Sequence, residues 1–207
     1  MSVKRAFDVV VAAFGLAILA PLFAALAILI RLDSSGPVFF RQQRVGLRGR
    51  LFRIHKFRTM SVDAPSRGPG LTVGRDPRIT RIGKVLRRYK LDELPQLIDV
   101  LRGEMSLVGP RPELPKYVAL YPEKMREKVL SVRPGITDLA SLQYIDENEM
   151  LARASDPERE YIERVLPEKL HLYEQYVDQR SVWLDGCIIA KTLVRVIARR
   201  ADVARRS

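Results

Sequence analysis

The chain has 207 residues, of which 47% are hydrophobic and 29% are charged, and this composition excludes both a disordered polyampholyte and a bundle of membrane-spanning helices. One cysteine and two histidines exclude an internal disulfide framework, a cysteine-based zinc site and a histidine-rich metal centre. The net charge is +12, and residues 31–111 alone carry 18 basic against 7 acidic side chains, which predicts an anionic partner for that stretch.

Residues 9–30 form an apolar segment of 22 residues without a charge. A helix of that length reaches roughly the thickness of the hydrocarbon core of a membrane. The sequence Arg31-Leu32-Asp33 that follows offers no small-residue cleavage site, which argues against a signal peptide. Pro21 predicts a kink near the middle, and basic residues flank both ends, so the positive-inside rule assigns no orientation. From these residues alone, a spanning helix and a re-entrant helix bent at Pro21 both stay open.

The next residues predict a small β-hairpin that carries basic side chains. Residues 37–40 and 51–54 have the composition of strands, and residues 46–49 between them have the composition of a turn. The basic side chains either form a solvated surface or rest on lipid phosphates, where each contributes on the order of 1 kcal/mol. Residues 61–78 then predict a loop, because prolines and glycines recur in them.

A helix and a carboxylate pair follow this loop. The apolar side chains of residues 79–89 recur at helical spacing, and the other face of that helix is basic. Asp92 and Glu93 come immediately after it. Asp92 either caps a helix whose third residue is Pro95, since the backbone dipole favours acidic residues there, or it takes part in chemistry.

The surroundings of Asp92 and Glu93 favour phosphate chemistry. Arg87 and Arg88 lie just upstream, and Arg111 follows one helix later between two prolines that restrict its backbone. One carboxylate of such a pair can attack phosphorus, and the other can hold Mg²⁺. The arginines can neutralise phosphate oxygens.

The C-terminal third predicts two further helical regions. Residues 156–179 place apolar side chains at helical spacing, and Pro167 either breaks this helix or opens a second piece. Residues 183–200 predict a basic amphipathic helix that starts at Trp183. Such a helix either lies at a membrane interface or packs on the core with a solvated face.

Five motifs in a fixed order make the chain recognisable. They are the apolar segment with its central proline, Lys56-Phe57-Arg58-Thr59-Met60, Leu91-Asp92-Glu93-Leu94-Pro95-Gln96, Met105-Ser106-Leu107-Val108-Gly109-Pro110-Arg111-Pro112 and Arg133-Pro134-Gly135-Ile136-Thr137. Together they resemble the bacterial sugar transferase family, the monotopic polyprenyl-phosphate phosphoglycosyl transferases, in its minimal catalytic form. The resemblance covers most of residues 3–137 and continues more weakly to about residue 200.

The resemblance implies an enzyme that starts the assembly of a bacterial glycoconjugate such as O-antigen, capsule, exopolysaccharide or a glycoprotein glycan. It implies transfer of a sugar 1-phosphate from a nucleoside diphosphate sugar, by family habit a UDP-sugar, to undecaprenyl phosphate, with release of the nucleoside monophosphate. It implies that Asp92 is the nucleophile that forms a covalent phosphosugar intermediate, and that Glu93, beside Asp92, holds Mg²⁺. Once the motif residues are included, the predicted phosphate-binding residues are Lys56, Arg58, Arg87, Arg88, Arg111 and Arg133.

The resemblance also implies an α+β fold that is mainly helical. Residues 1–32 are expected to form a re-entrant membrane helix bent at Pro21, and residues 33–207 a catalytic domain with a small hairpin and amphipathic interfacial helices. That domain is expected on the cytoplasmic face of the bacterial inner membrane, in contact with lipids, and a homodimer is left open. Family members bend at a Ser-Pro pair, whereas here Ala20 precedes Pro21, so the hydroxyl that could bond a freed carbonyl is absent.

A second departure from the family follows the last motif. Many members continue with Gly-Trp-Ala-Gln, whereas this chain continues with Asp138-Leu139-Ala140-Ser141. If this segment contacts the donor, the sugar preference differs from that of the commonest members.

Two other classes of protein compete with a transferase. The arginine-rich middle would suit a nucleic-acid binder, but the apolar residues 9–30 argue against that class, and we expect no nucleic acid as a partner. The second class is a non-catalytic basic membrane scaffold, in which Asp92 and Glu93 would only cap a helix.

Overall fold

The computed structural model describes residues 3–64, 76–144 and 147–204. Within these residues the chain forms ten α-helices and two sheets of two strands each. The predicted class is therefore confirmed in its coarse form: the chain is mainly helical, with one apolar N-terminal helix and one small antiparallel hairpin. Most of the predicted loop at residues 61–78 lies outside the described residues.

The N-terminal helix α1, Val3–Asp33, includes Pro21 and is the one helix within the described residues that is long and apolar enough to cross a membrane. Its two ends contact the rest of the chain, whereas residues 13–25 between them are mostly exposed. Near the start, the carboxylate of Asp8 accepts hydrogen bonds from the Ser106 hydroxyl at 2.8 Å and the Leu107 N–H at 3.2 Å. Near the end, the carboxylate of Asp33 accepts the N–H of Ile82 at 2.9 Å.

The predicted hairpin is present and is longer than expected. Strand β1, Phe39–Val45, pairs antiparallel with strand β2, Leu51–Phe57, so that Val45 lies opposite Leu51 and Phe39 opposite Phe57. A 3-10 turn, Leu47–Gly49, joins them, and Gly49 takes the left-handed conformation, with φ of 76°, which glycine adopts without strain. The strands exceed the prediction because cross-strand pairing extends past the apolar residues that signalled them.

Helix α2, Arg81–Arg88, begins at Thr80, whose hydroxyl accepts the N–H of Gly83. Gly83 is the residue of α2 that approaches the backbone of Thr59, which lies just after strand β2. A Cβ atom on Gly83 would lie 2.0 Å from the carbonyl oxygen of Thr59, so only glycine allows this approach. The predicted helix over residues 79–89 is thus present with slightly tighter bounds.

The carboxylate pair lies in a 3-10 turn, Leu91–Glu93, which precedes helix α3, Gln96–Arg102. The interpretation of Asp92 as a helix cap is wrong, because the N-cap position of α3 is Pro95 and no side chain caps it. The C-cap residue of the turn is Leu94, and Asp92 lies three residues before the N-cap position of α3. The turn is fixed to α1 by Leu91, which packs against the cluster of Leu26 and Ile30.

Each of the two motifs that contain Arg111 and Arg133 includes a short strand. Strand β3, Ser106–Val108, runs parallel to strand β4, Gly135–Thr137. Between them lie the helices α4, Pro115–Val118, and α5, Glu123–Val129. Gly109 and Gly135 allow the two backbone segments to approach closely, since a Cβ on Gly135 would lie 2.1 Å from the backbone nitrogen of Gly109.

All the regular secondary structure in the described residues of the C-terminal third is helical. Its elements are α6, Leu139–Gln143, α7, Glu147–Leu151, α8, Pro157–Glu160, a π-helical turn, Tyr161–Val165, α9, Leu166–Gln179, and α10, Val182–Ala204. Pro167 lies in the first turn of α9, so it opens a second helical piece, one of the two predicted outcomes. In the last helix, Ile188 is buried in the core while Trp183 is 83% exposed.

Candidate active site

Three segments that are distant in sequence meet at Glu93. Strand β2 supplies Lys56, the 3-10 turn supplies Glu93 itself, and the loop after β3 supplies Arg111. The Nζ atom of Lys56 lies 2.8 Å from Oε1 of Glu93. Arg111 binds the same carboxylate with both terminal nitrogens: Nη1 donates to Oε2 at 3.2 Å, and Nη2 forms an ion pair with Oε1. The structure thus brings together three of the residues that the sequence predicted for one site.

The pKa of Glu93 lies well below its usual value. Burial alone would raise it, but the positive charges of Arg111 and Lys56, together with the hydrogen bonds from Arg111, outweigh burial. The same contact raises the pKa of Arg111, because Glu93 stabilises its charged form. Burial lowers the pKa of Lys56, and Glu93 opposes that shift. Glu93 is therefore a carboxylate held firmly in its ionised form.

Asp92, the neighbouring carboxylate, has the opposite character. Its side chain is buried, and among the described residues its Oδ1 atom has no hydrogen-bond partner. Burial raises the pKa of Asp92, and the negative charge of Glu93 raises it further, while Lys56 and Arg87 partly oppose both effects. A buried carboxylate oxygen without a partner is unusual and is free to contact an electrophile or a cation.

Of the two arginines at the end of α2, the structure associates Arg87 with the pair. Its Nε donates to the Thr59 hydroxyl at 2.8 Å. Burial lowers the pKa of Arg87, and the negative charge of Asp92 is the strongest opposing influence. Arg88 is exposed, and its guanidinium lies 5.9 Å from the centre of the adjoining Tyr89 ring.

The structure gives Arg58 and Arg133 contacts of another kind. The guanidinium of Arg58 is buried at the end of α1, where it donates to the carbonyls of Ser34 and Ser35, both at 2.6 Å. The Nε of Arg133 donates to the carbonyl of Gly103 at 2.8 Å, just after α3. Arg58 thus bonds to the segment that follows α1, and Arg133 bonds to the C-cap residue of α3. The structure does not place either side chain at Glu93, although both belong to the recognised motifs.

Sequence reasoning missed Arg44 of strand β1. Its Nη1 donates to the carbonyl of Pro112 at 3.2 Å, next to Arg111, so Arg44 lies beside the site. Burial lowers the pKa of Arg44. Strand alternation puts Arg44 on the same face as Gln42, whose side-chain oxygen it contacts at 2.8 Å. Both faces of β1 carry polar side chains, and for this reason the pattern alone could not identify the buried one.

Asp138 is the first residue of the segment that departs from the family pattern, and its side chain caps helix α6. Asp138 is buried and caps α6, since its carboxylate accepts the N–H and the hydroxyl of Ser141 at 2.8 and 2.5 Å. Burial raises the pKa of Asp138, and these hydrogen bonds oppose the shift. These contacts give the gained carboxylate a structural role at the start of α6.

The carboxylate pair fits a magnesium ion. Mg²⁺ is commonly held by one or two carboxylates together with substrate phosphates, rather than by a cage made only of protein. The described residues contain no group of three or more His, Cys, Asp or Glu side chains able to hold a metal ion, so a magnesium ion at Asp92 and Glu93 would need substrate phosphates as further ligands. The unpartnered Oδ1 of Asp92 and the carboxylate of Glu93 are the donors that would hold it, and Lys56 and Arg111 would compete for Glu93.

Comparisons with known proteins agree on one family. The model of the bacterial sugar transferase family matches residues 1–199. The chain is 42% identical over 203 residues to the undecaprenyl-phosphate glucose phosphotransferase of Komagataeibacter xylinus, a match that covers 95% of this chain and 36% of that protein. It is 37% identical over 197 residues to the UDP-N-acetylgalactosamine-undecaprenyl-phosphate N-acetylgalactosaminephosphotransferase of Aeromonas hydrophila, covering 94% of this chain and 44% of that protein.

A third relative is matched over more of its own length. The chain is 38% identical over 194 residues to the UDP-glucose:undecaprenyl-phosphate glucose-1-phosphate transferase of Caulobacter vibrioides, covering 92% of this chain and 68% of that protein. In contrast, the chain spans less than half the length of the two preceding relatives.

Proposed function

Because the chain belongs to the bacterial sugar transferase family, we propose that it transfers a sugar 1-phosphate from a UDP-sugar to undecaprenyl phosphate. The products are a polyprenyl diphosphate sugar and UMP, and the reaction is the first membrane step of glycoconjugate synthesis. The observation that carries the proposal is the unpartnered, buried carboxylate oxygen of Asp92 beside a second carboxylate that two cationic side chains hold.

In the first step, an oxygen of Asp92 attacks the phosphorus that bears the sugar. A new P–O bond forms, the phosphoanhydride P–O bond breaks, and UMP leaves with the electron pair. The raised pKa of Asp92 makes it a more basic carboxylate than usual, and its Oδ1 accepts no hydrogen bond from the described residues, which leaves the lone pairs of that oxygen accessible. In the second step, a phosphate oxygen of undecaprenyl phosphate attacks the same phosphorus and releases the carboxylate of Asp92.

The basic side chains neutralise the phosphates of donor and acceptor. Lys56 and Arg111 lie at Glu93, and Arg87 lies beside Asp92, so positive charge surrounds the attacking oxygen. These charges lower the repulsion between an anionic nucleophile and an anionic diphosphate. A bound Mg²⁺ ion would supply further charge neutralisation at the donor diphosphate, and Glu93 and Asp92 are the residues that would hold it.

A membrane arrangement accompanies this proposal. A straight helix the length of α1 measures about 46 Å, more than the thickness of a bilayer core. Yet Asp8 near its start and Asp33 near its end both bond to the same domain. These contacts support a re-entrant helix whose two ends lie on one face of the membrane, with the exposed middle around Pro21 in lipid. The proposal assigns that face to the cytoplasmic side of the inner membrane, as the family resemblance implies. The exposed Trp183, at the start of α10, would contact the same lipid surface.

The test of the reaction is release of UMP by purified protein from a panel of UDP-sugars, with and without undecaprenyl phosphate. Radiolabelled donor should leave a phosphosugar on the wild-type protein and none on Asp92→Asn. Asp178→Asn is the matched control, because Asp178 is exposed and contacts Lys128. UMP release that is absent with every donor would leave only the scaffold alternative, and labelling that survives in Asp92→Asn would refute the nucleophile.

The test of the membrane arrangement uses single cysteines in a Cys187→Ser protein. Val3 and Leu32 are 77% and 80% exposed, so a cysteine at either position is open to a membrane-impermeant maleimide. Both should react only from the side that also labels a cysteine at the exposed Asp178. Labelling of the two helix ends from opposite sides of the membrane would exclude the re-entrant model.

A further inference from the structure

A buried carboxylate, Glu113, lies directly behind the loop that carries Arg111. Its side chain is only 8% exposed, which is exceptional for a charged residue. The Oε1 atom accepts a hydrogen bond from the hydroxyl of Tyr161 at 2.7 Å, and Oε2 lies 3.8 Å from Nη1 of Arg44. This carboxylate therefore links the hairpin strand β1 to the π-helical turn of the C-terminal third.

Arg44 and its neighbour Val45 hold the same loop from the hairpin side. The Nη1 atom of Arg44 donates to the carbonyl of Pro112 at 3.2 Å, immediately after Arg111. The backbone N–H of Val45 donates to the carbonyl of Glu113 at 3.0 Å. The two prolines around Arg111 restrict the backbone of the loop, but these bonds fix where the loop lies relative to strands β1 and β2.

Charge explains why Glu113 is needed there. Burial lowers the pKa of Arg44, the positive charge of Arg111 lowers it further, and Glu113 is the strongest charge that opposes both effects. Two neighbouring guanidinium groups repel each other, and in a buried site solvent screens this repulsion little. Glu113 also contributes to the raised pKa of Arg111. One carboxylate thus favours the charged form of both arginines.

The C-terminal third in turn holds Glu113. Lys169 of α9 is buried, and its Nζ lies 3.9 Å from Oε1 of Glu113 and 2.7 Å from Oε2 of Glu147 in α7. The same ammonium lies 5.0 Å from the centre of the Tyr161 ring. The carboxylate of Glu113 is consequently fixed from one side by Arg44 and from the other by Tyr161 and Lys169.

We propose that Arg44, Glu113 and Tyr161 are positioning residues for Arg111. They hold its guanidinium at Glu93, where the donor diphosphate binds, and none of the three contacts the substrate. Through them the helices of the C-terminal third determine the geometry of the phosphate-binding arginine. The kinetic consequence of this network rests on the proposed transferase function, whereas its effect on Arg111 can be measured without turnover.

The kinetic test is a double-mutant cycle between Arg44 and Arg111. Arg44→Lys keeps the charge but loses the planar fork that holds Pro112. It should lower kcat/KM for the UDP-sugar about tenfold, mostly through KM, with little change in melting temperature. In an Arg111→Lys background the same change should lower kcat/KM by no more than about twofold, because its target is already gone. Arg41→Lys is the control, since Arg41 lies on the same strand, is exposed and donates to the carbonyl of Arg53.

A second pair of variants tests the C-terminal end of the network. Tyr161→Phe removes the hydroxyl that binds Glu113 and leaves the ring in place. It should raise KM for the UDP-sugar several-fold, again with the effect lost in Arg111→Lys. Tyr144→Phe is the matched control, because the Tyr144 hydroxyl contacts the carboxylate of Glu168 at an exposed position. A loss of kcat/KM that is as large in the Arg111→Lys background as in the wild type would overturn the proposal.

The direct readout is the Arg111 side chain itself. In protein labelled with ¹⁵N-arginine, the Nε–H resonance of Arg111 is assigned by its absence in Arg111→Lys. Arg44→Lys and Tyr161→Phe should shift this resonance and speed its exchange with water at least several-fold, whereas Tyr144→Phe should not. An unchanged Arg111 resonance in both network variants would also overturn the proposal. Wild-type protein that fails to release UMP would count against the proposed function. The Arg111 resonance would then be the measurement that tests whether Arg44, Glu113 and Tyr161 position Arg111.

Discussion

Neutralising each of the two adjacent carboxylates should change stability in opposite directions. Asp92→Asn removes a buried charge that has an unpartnered oxygen and a raised pKa. Asparagine keeps an oxygen at this position but carries no charge, and burial of a charge costs more than burial of a neutral polar group. Lys56 and Arg87 return part of that cost by attraction to Asp92. We therefore expect the free energy of unfolding to rise by about 1 kcal/mol, or roughly 2–4 °C in melting temperature for a chain of this size.

Glu93→Gln should have the reverse effect. It removes the counter-charge of Arg111 and Lys56, whose side chains are only 27% and 17% exposed. Breaking a buried ion pair from one side costs about 3–5 kcal/mol, and the partial exposure here favours the lower end. We expect a loss of about 3 kcal/mol, which corresponds to roughly 6–12 °C.

The assay is thermal unfolding of wild type, Asp92→Asn and Glu93→Gln in the same detergent, without divalent cations, at pH 7 and at lower pH. The folded-state pKa of Glu93 is lowered, so its stabilisation is complete above its unfolded value of about 4.3 and is lost as pH falls through the folded value. The folded-state pKa of Asp92 is raised, so its destabilisation is complete above the folded value and vanishes below about pH 3.9. Both variants should therefore approach wild type in acid. If Asp92→Asn melts well below wild type at pH 7, our account of the unpartnered carboxylate is wrong.

Four further outcomes are expected. Arg111→Lys should lower kcat/KM about ten- to a hundredfold with little loss of stability, since it loses one charge-assisted hydrogen bond of about 1.5–3 kcal/mol. The check is to measure kinetics and thermal unfolding on one preparation. Near-wild-type turnover would remove Arg111 from the site. Excess chelator should abolish UMP release and added Mg²⁺ should restore it, so undiminished turnover in chelator would contradict the metal assignment. Because the pKa of Asp92 is raised and the attacking form is ionised, the acid limb of the kcat profile should lie above the ordinary carboxylate value of about 3.9. Gly83→Ala should lower melting temperature and activity together, because a Cβ there would lie 2.0 Å from the carbonyl oxygen of Thr59 and would displace α2. A normal melting temperature would show that the helix can shift at little cost.

Much of this protein could be predicted from short stretches of its sequence. The apolar run of residues 9–30, the hairpin and the helix at residues 79–89 are local patterns, and local patterns follow from backbone geometry and periodicity. The ordered motifs identified the family, and a match over residues 1–199 confirmed it. The bounds were less exact, because cross-strand pairing lengthened the strands and Thr80 fixed the start of α2.

The roles of individual charged residues depended on the tertiary structure. The sequence does not show whether a charged residue binds a substrate or bonds to the protein backbone, because the two roles differ only in the groups that surround the side chain. Arg58 belongs to a recognised motif yet bonds to carbonyls at the end of α1, whereas Arg44 was missed and lies beside Arg111. Asp138 belongs to the segment that departs from the family pattern, and only the structure shows that it is a buried cap of α6.

The sequence by itself determined which chemistry the chain carries: an apolar helix, a carboxylate pair and arginines in a family-specific order. The tertiary structure decided which carboxylate is paired and which is not. Glu93 meets Lys56 and Arg111 from segments 37 and 18 residues away, whereas Oδ1 of the adjacent Asp92 has no hydrogen-bond partner within the described part of the chain. Burial, charge and hydrogen bonding set a pKa through space, and the residues that supply them are brought together by packing between distant segments rather than by sequence neighbourhood.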